Sequence, residues 1–341
     1  MSTTPPPVSG APSEPGSHPA GTEPAGPDLP EAGAGTDEGA RAKTGAKGVP
    51  EPGTTPRRTG LRRHETLYFA LRNPKVVIGL TVVLALLGVG LIAPMTFDHG
   101  PMDYVGNPIE APSAEHWFGT TMFGQDVFTQ FVAGLRSTFV VGVLAAGIAA
   151  VVGMSVGFVA GYRGGWIDEV LNMLTNVVLV IPGFVVLIVI NAYLGVRSVP
   201  LQALYIGLFS WPWVARAVRA QTFSLRAREF VDLAKLSGLS TGAIIRREIA
   251  PNMYSYLFMT FVLLFGGSIL TAASLDFIGL GPTNAMSLGL MMNQAVQWSA
   301  LHLGMWWWFV PPGIGITAIV GSLYIMNVGL DEVFNPKLRE T

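Results

Sequence analysis

Six runs of about twenty apolar residues constrain this chain more than any other feature. They fall at 76–95, 137–160, 172–195, 199–217, 253–276 and 305–329, and a helix of about 20 such residues crosses the hydrocarbon core of a bilayer. Half of the 341 residues are hydrophobic and only 13% are charged, with a mean hydropathy of +0.46. A bilayer, rather than water, is the solvent such a chain suits. Within hydrocarbon every backbone N–H and C=O must be satisfied internally, which for segments of this length means helices. The expected fold is therefore an all-α membrane protein with six transmembrane helices. Small residues recur within the runs, as in VGVLAAGIAAVVGMSVGFVAG, and permit the close backbone approach on which helix packing in lipid depends. Pro182, Pro212, Pro311 and Pro312 fall inside or at the ends of spans, where they mark either kinks that shape a pathway or packing adjustments.

Residues 1–60 are rich in Pro, Gly, Ala, Ser and Thr with almost no large apolar side chain, so they bury too little surface to offset ordering and read as a disordered tail. They lack the apolar core of a signal peptide. A basic cluster, Arg57, Arg58, Arg62, Arg63, Arg72 and Lys75, leads into the first run. Arg163 follows the second run, and Arg219, Arg226, Arg228, Lys235, Arg246 and Arg247 lie between the fourth and fifth. In a six-span layout all of these share one side. The intervening segments are poor in Lys and Arg: 96–136 holds Asp98, Asp103, Glu110, Glu115 and Asp126 against Arg136, and 277–304 has neither cation. The positive-inside rule makes the basic side, with both termini, cytoplasmic. On the opposite side, the end of 96–136 fits an interfacial helix, 277–304 fits a short re-entrant or interfacial helix, and Trp298, Trp306, Trp307 and Trp308 fit an interfacial aromatic belt.

The chemistry missing from the chain is as informative. It has no cysteine, its five histidines are scattered, and the dipeptide Gly-Lys never occurs, so thiolate chemistry, a clustered metal site and a P-loop are not expected. Within the six runs, ionisable groups are confined to Arg216 and Asp276 near their ends. Ion-coupled carriers place such groups at membrane depth and voltage sensors need an Arg ladder. Neither pattern is present. Active transport would have to draw its energy from another chain.

Between the fourth and fifth runs lies EFVDLAKLSGLSTGAIIRREIAPN, Glu229 to Asn252. The spacing predicts an amphipathic helix over 226–237, with Phe230, Val231, Leu233, Ala234 and Leu236 on its apolar side. Gly238 permits a turn, Ser240 or Thr241 caps a second short helix over Ala243 to Glu248, and Pro251 punctuates the lead into the next span. Two roles suit such a pair: a knob that docks in a groove of a soluble partner, or a helix lying on lipid headgroups.

That stretch resembles the cytoplasmic "EAA" loop in permease subunits of ATP-binding-cassette importers. Asp232, Leu233 and Ala234 stand where the family has Glu-Ala-Ala, Gly238 holds the glycine position, and Ile249, Ala250 and Pro251 hold the later Ile/Leu-Pro. The lead-in LRNPKVVIGL, the segment HWFGTTMFGQDVFTQFVAGLRSTFVVG with Thr121 and Gln125 in place of Asp and Arg, and GYRGGWIDEVLNMLTNVVLVIP, WPWVARAVRAQTFSLRAREFV, SLDFIGLG and NVGLDEVFNPKLRE extend the likeness over residues 67–339. They narrow it to the dipeptide, oligopeptide and nickel class.

The resemblance implies a non-catalytic permease subunit that forms the translocation pathway for peptides or a related small solute. It implies ATP-binding subunits, a second homologous permease and an extracytoplasmic solute-binding protein as partners, with ATP and Mg bound in the partners and no cofactor in this chain. Glu229, Asp232, Ala234, Gly238, Ile249 and Pro251 are the residues it assigns to coupling. The expected organisation is a tail (1–60), a basic segment and first span (61–95), an extracytoplasmic segment (96–136), a five-span core with its coupling loop at 218–252 (137–330), and a cytoplasmic C-terminus (331–341). A secondary transporter or channel not driven by ATP is the alternative. Asn172, Asn176 and Pro182 are candidates for the pathway.

Overall fold

The computed structural model describes residues 68–334 except 194 and 196. The expected tail at 1–60 and the residues after 334 lie outside them. The described residues are helical apart from connecting segments, with two isolated β-bridges and no strand among them. Helix α1 runs Pro74–Ile92, α2 Val127–Arg163, α3 Gly165–Val180, α4 Gly183–Tyr193 and α5 Val199–Arg226. A short α6, Glu229–Leu236, is followed by α7, Thr241–Ile244, and then by α8 at Tyr254–Leu275, α9 at Leu288–Gln297 and α10 at Trp306–Phe334.

Four of these helices, including their terminal turns, are long and apolar enough to cross a membrane: Pro74–Met95, Val127–Arg163, Tyr254–Leu280 and Trp306–Phe334. The expected third span is broken. Its halves, α3 and α4, meet at a 71° bend that falls at Pro182, a residue without an N–H to continue the helical ladder. The window 199–217 lies within α5, whose 28 residues are ample in length at 1.5 Å rise but carry Gln202, Arg216 and Arg219 and are correspondingly less apolar.

Glycines bring the helices together. On α2, Gly153, Gly157 and Gly161 recur every four residues along one face, and a Cβ at each would lie 2.6–2.7 Å from α5 atoms: the Val214 side chain and the Ala215 and Arg219 carbonyls. Gly207 of α5 reciprocates against Ile148, at 2.7 Å. In lipid, where hydrophobicity does not drive helices together, such contact lets dispersion and weak polar interactions hold the pair. Gly142 seats α8 in the same way through Phe265 and Ile269, and Gly79 seats α1 on α10.

The two ends of the bundle carry different polar ties. At one end Lys75 and Glu332 join α1 to α10, Asn73 donates to Glu332 at 2.9 Å, and Arg219 of α5 donates to Asp168 of α3 through both Nε and Nη2, the latter at 2.6 Å. At the other, Asp276 is 3% exposed and accepts from Gln202 Nε2 and Ser287 Oγ, each at 2.6 Å. Those bonds clamp the start of α5, the end of α8 and the start of α9. A buried carboxylate is tolerable only when hydrogen-bonded in this way.

The segment 96–126 is a folded loop, and of the stretch 116–137 that suggested an interfacial helix only the part from Val127 is helical, as the start of α2. Asp126 explains why the helix starts where it does: its carboxylate accepts from Thr129 N at 2.7 Å, an N-cap that begins α2 at Val127, ten residues ahead of the apolar window. Thr121 and Gln125 close the loop, with Thr121 Oγ1 accepting from Gln125 N at 3.2 Å and Gln125 Nε2 donating to the Met102 carbonyl at 3.0 Å. The short helix expected within 277–304 is α9. The aromatic belt is a partial correction. Trp298 and Trp306 are exposed, but Trp307 and Trp308 are 9% and 1% exposed, and Trp307 Nε1 donates to the Thr120 carbonyl at 3.2 Å, tying α10 to the folded loop. Three consecutive tryptophans on a helix must point in several directions, so two of the three at 306–308 are core.

Candidate functional site: the inter-helical hairpin

Helices α5 and α8 are joined by the hairpin at 229–252, which sits at the end of the bundle opposite Asp276. Its first arm, α6, is amphipathic, though with a different division of residues from the one expected. Val231 and Ala234 are 0% and 7% exposed and Phe230 packs partly against the core, whereas Leu233 and Leu236 are 64% and 85% exposed. The helical period accounts for this. With Val231 and Ala234 three apart on the inner face, Glu229, Leu233 and Leu236 are spaced along the opposite one.

Gly238 ends the arm. Its φ of +76° lies in the left-handed region, its N–H bonds the Lys235 carbonyl at 3.0 Å, and the next N–H, of Leu239, reaches back to the Ala234 carbonyl at 3.2 Å. This is the Schellman arrangement, which satisfies carbonyls left open at a helix C-terminus. Leu239 packs partly against the core, as the apolar residue after such a turn commonly does.

The second arm begins at Thr241 with Ser240 in the capping position, two residues ahead of the expected start; Ser240 makes no side-chain capping bond. From Ile245 to Ile249 the helix widens by one residue per turn, with the Ala250 N–H bonding the Ile245 carbonyl five residues back. Ile244 and Ile249, 1% and 0% exposed, would diverge by about 140° in a regular α-helix. The wide turn returns both to the core. Pro251 opens the final short turn, and Met253 breaks direction into α8.

The six residues singled out from sequence therefore divide by orientation. Ala234 and Ile249 are buried anchors; Glu229, Asp232, Gly238 and Pro251 are exposed. Asp232 pairs with Lys235 at 2.9 Å on the surface, a contact worth only about 0.5 kcal/mol. The sequence reading did not single out Ile244 as an anchor or recognise Leu233 and Leu236 as an exposed apolar pair. Placing Val231 and Ala234 on one helical face would have found that pair.

The hairpin is fixed to the spans on both sides. Arg219, on the stretch of α5 leading into it, holds Asp168 of α3, and nearby Arg216 donates to Asn176 of α3 at 2.8 Å. Asn172 and Asn176 face a groove of about 610 Å³ with Glu169, Val180 and Ile181, next to the break at Pro182. No group of three or more His, Cys, Asp or Glu side chains among the described residues is placed to hold a metal ion.

Comparison with known proteins agrees with this geometry. Residues 153–340 match the family of binding-protein-dependent transport system inner membrane components. The dipeptide transport system permease protein DppC of Alkalihalophilus pseudofirmus is 32% identical over 276 residues, covering 79% of this chain and 88% of that one. DppC of Bacillus subtilis is 31% identical, covering 79% and 83%. The glutathione transport system permease protein GsiD of Escherichia coli is 31% identical over 293 residues, covering 85% and 93%. These matches set aside the secondary transporter or channel. The chain belongs to the family of binding-protein-dependent transport system inner membrane components and is a multi-pass permease subunit of an ATP-binding-cassette importer.

Proposed function

We propose that the chain imports short peptides, drawing its energy from ATP-binding subunits that grip the 229–251 hairpin on the cytoplasmic side. The observation that carries this reading is the exposed pair Leu233 and Leu236 on a hairpin whose inner face is anchored by Val231, Ala234, Ile244 and Ile249. Large apolar side chains held on a rigid, mostly charged surface suit a groove on a soluble partner. The same hairpin lies directly between α5 and α8, so a displacement of the knob is delivered to two spans at once. Glu229, Asp232 and Gly238 present or shape the docking face, while Ala234 and Ile249 fasten it to the bundle.

The remaining partners follow from the family. A second homologous permease would cover the apolar face left bare by the broken span, where Met173, Val177, Val180 and Val185 are all about half exposed or more. An external solute-binding protein would deliver the peptide. ATP and Mg would be held by the soluble subunits. The distribution of Lys and Arg supports a cytoplasmic location for both termini and the hairpin.

Reconstitution provides the test. In proteoliposomes holding this chain, its partner permease, the ATP-binding subunits and the solute-binding protein, uptake of a labelled tripeptide such as Ala-Phe-Ala is expected to require ATP hydrolysis. It should stop when the ATP-binding subunit is omitted or its hydrolysis is disabled. Tripeptide uptake that persists without nucleotide would contradict the proposal.

A further inference from the structure

A groove of about 480 Å³ lies among α5, α8 and α10 with Leu179 of α3 at its rim. Its lining is unusual for a surface at the depth of apolar spans. Ser210, Ser268 and Thr271 supply hydroxyls, Gly267 leaves room, and Phe209, Trp213 and Tyr324 supply aromatic faces, with Trp213 and Tyr324 50% and 45% exposed. Ser210 and Thr271 donate to the carbonyls four residues back, at 2.8 and 2.9 Å, which leaves their oxygens free to accept. Ser268 is 3% exposed, and its hydroxyl has no partner in the chain. A buried hydroxyl without a partner is costly, particularly in a low-dielectric setting, and calls for an occupant that supplies one.

We propose that this groove is a peptide subsite on the translocation pathway. Ser268 and its neighbouring hydroxyls accept a backbone N–H, and Phe209, Trp213 and Tyr324 receive an apolar or aromatic side chain. The chemistry selects a donor of neutral hydrogen bonds joined to an apolar group, because no carboxylate or cationic side chain lines the groove. Lipid acyl chains offer no N–H and leave Ser268 unsatisfied. Position supports the assignment: the groove lies on the two helices that the 229–252 hairpin connects, so an occupant bears on the elements the hairpin would move. This inference rests on the peptide-import reading above.

The absence of cysteine from this chain makes any thiol labelling of it report on the introduced residue. In the assembled importer in proteoliposomes, Thr271→Cys is expected to react with a charged, membrane-impermeant thiol reagent, and saturating Ala-Phe-Ala during turnover should slow that reaction about five-fold or more. Ser268→Ala should lower uptake efficiency for Ala-Phe-Ala about 3- to 10-fold, the value of one neutral hydrogen bond, with no further loss for an analogue whose amide nitrogens are methylated. Labelling by lipid-soluble reagents alone would show an acyl-chain site. Labelling only in the isolated subunit would show a surface covered by the partner permease. Either result overturns the subsite while leaving ATP-driven uptake by the unmodified importer intact, whereas loss of that uptake in the unmodified importer would instead strike the import reading itself.

Discussion

Replacing Gly238 with valine should reduce ATP-driven uptake more than ten-fold while leaving the amount of subunit in the membrane unchanged. The effect is local to the backbone. A Cβ at Gly238 would meet nothing within 4 Å, but φ is +76°, a conformation that costs an L-residue about 1–2 kcal/mol and a β-branched one more. Relieving that strain means giving up the bonds from Gly238 and Leu239 to Lys235 and Ala234, so α6 loses its stop and Leu233 and Leu236 lose their fixed position. The spans are untouched, which is why insertion survives. Gly238→Asn separates conformation from side-chain bulk: asparagine tolerates the left-handed region and should retain most uptake. Normal transport with normal stimulation of ATP hydrolysis in Gly238→Val would remove the hairpin from the coupling mechanism.

The second large effect belongs to the bundle. Gly157→Leu should abolish the folded subunit rather than uncouple it, because even a single Cβ at 157 lies 2.7 Å from the Ala215 carbonyl and 2.8 Å from Val218 Cβ. The first of these is backbone and cannot yield without moving α5. Overpacking of this kind costs about 1–3 kcal/mol where neighbours can adjust, and here a whole helix must shift. Thermal unfolding of the detergent-purified subunit reads the difference directly. Gly147→Leu, on the same helix but with nothing within 4 Å of its Cβ, is the control and should unfold like the wild type.

The contrast between these two glycines shows what could be read from sequence. Spans were legible because twenty consecutive apolar residues have few other uses, and the turn at Gly238 was legible because glycine is the residue that most readily takes the left-handed conformation ending a helix. The broken third span was foreshadowed by Pro182, although proline alone does not distinguish a kink from a 71° break. The start of α2 was hidden because Asp126 caps a stretch whose polar residues, such as Gln130, are buried by tertiary contacts. In the hairpin the sequence pattern suggested a broad apolar side, yet the structure buries only the stripe through Val231 and Ala234 and leaves two leucines outside. The widened turn after Ile244 had no local signal at all; it exists because two isoleucines five apart must both reach the core. The same limit hid Ser268, whose missing partner is visible only once three helices are in place.

Crosslinking from the exposed leucines tests the coupling claim most directly. Because this chain has no cysteine of its own, Leu236→Cys can be labelled with a short photoreactive crosslinker on the purified subunit and the importer then assembled around it in proteoliposomes. The expected product is a covalent adduct with the ATP-binding subunit, its yield changing between the nucleotide-free and ATP-bound states. An adduct with lipid or with the external solute-binding protein, and none with the ATP-binding subunit in either state, would contradict it.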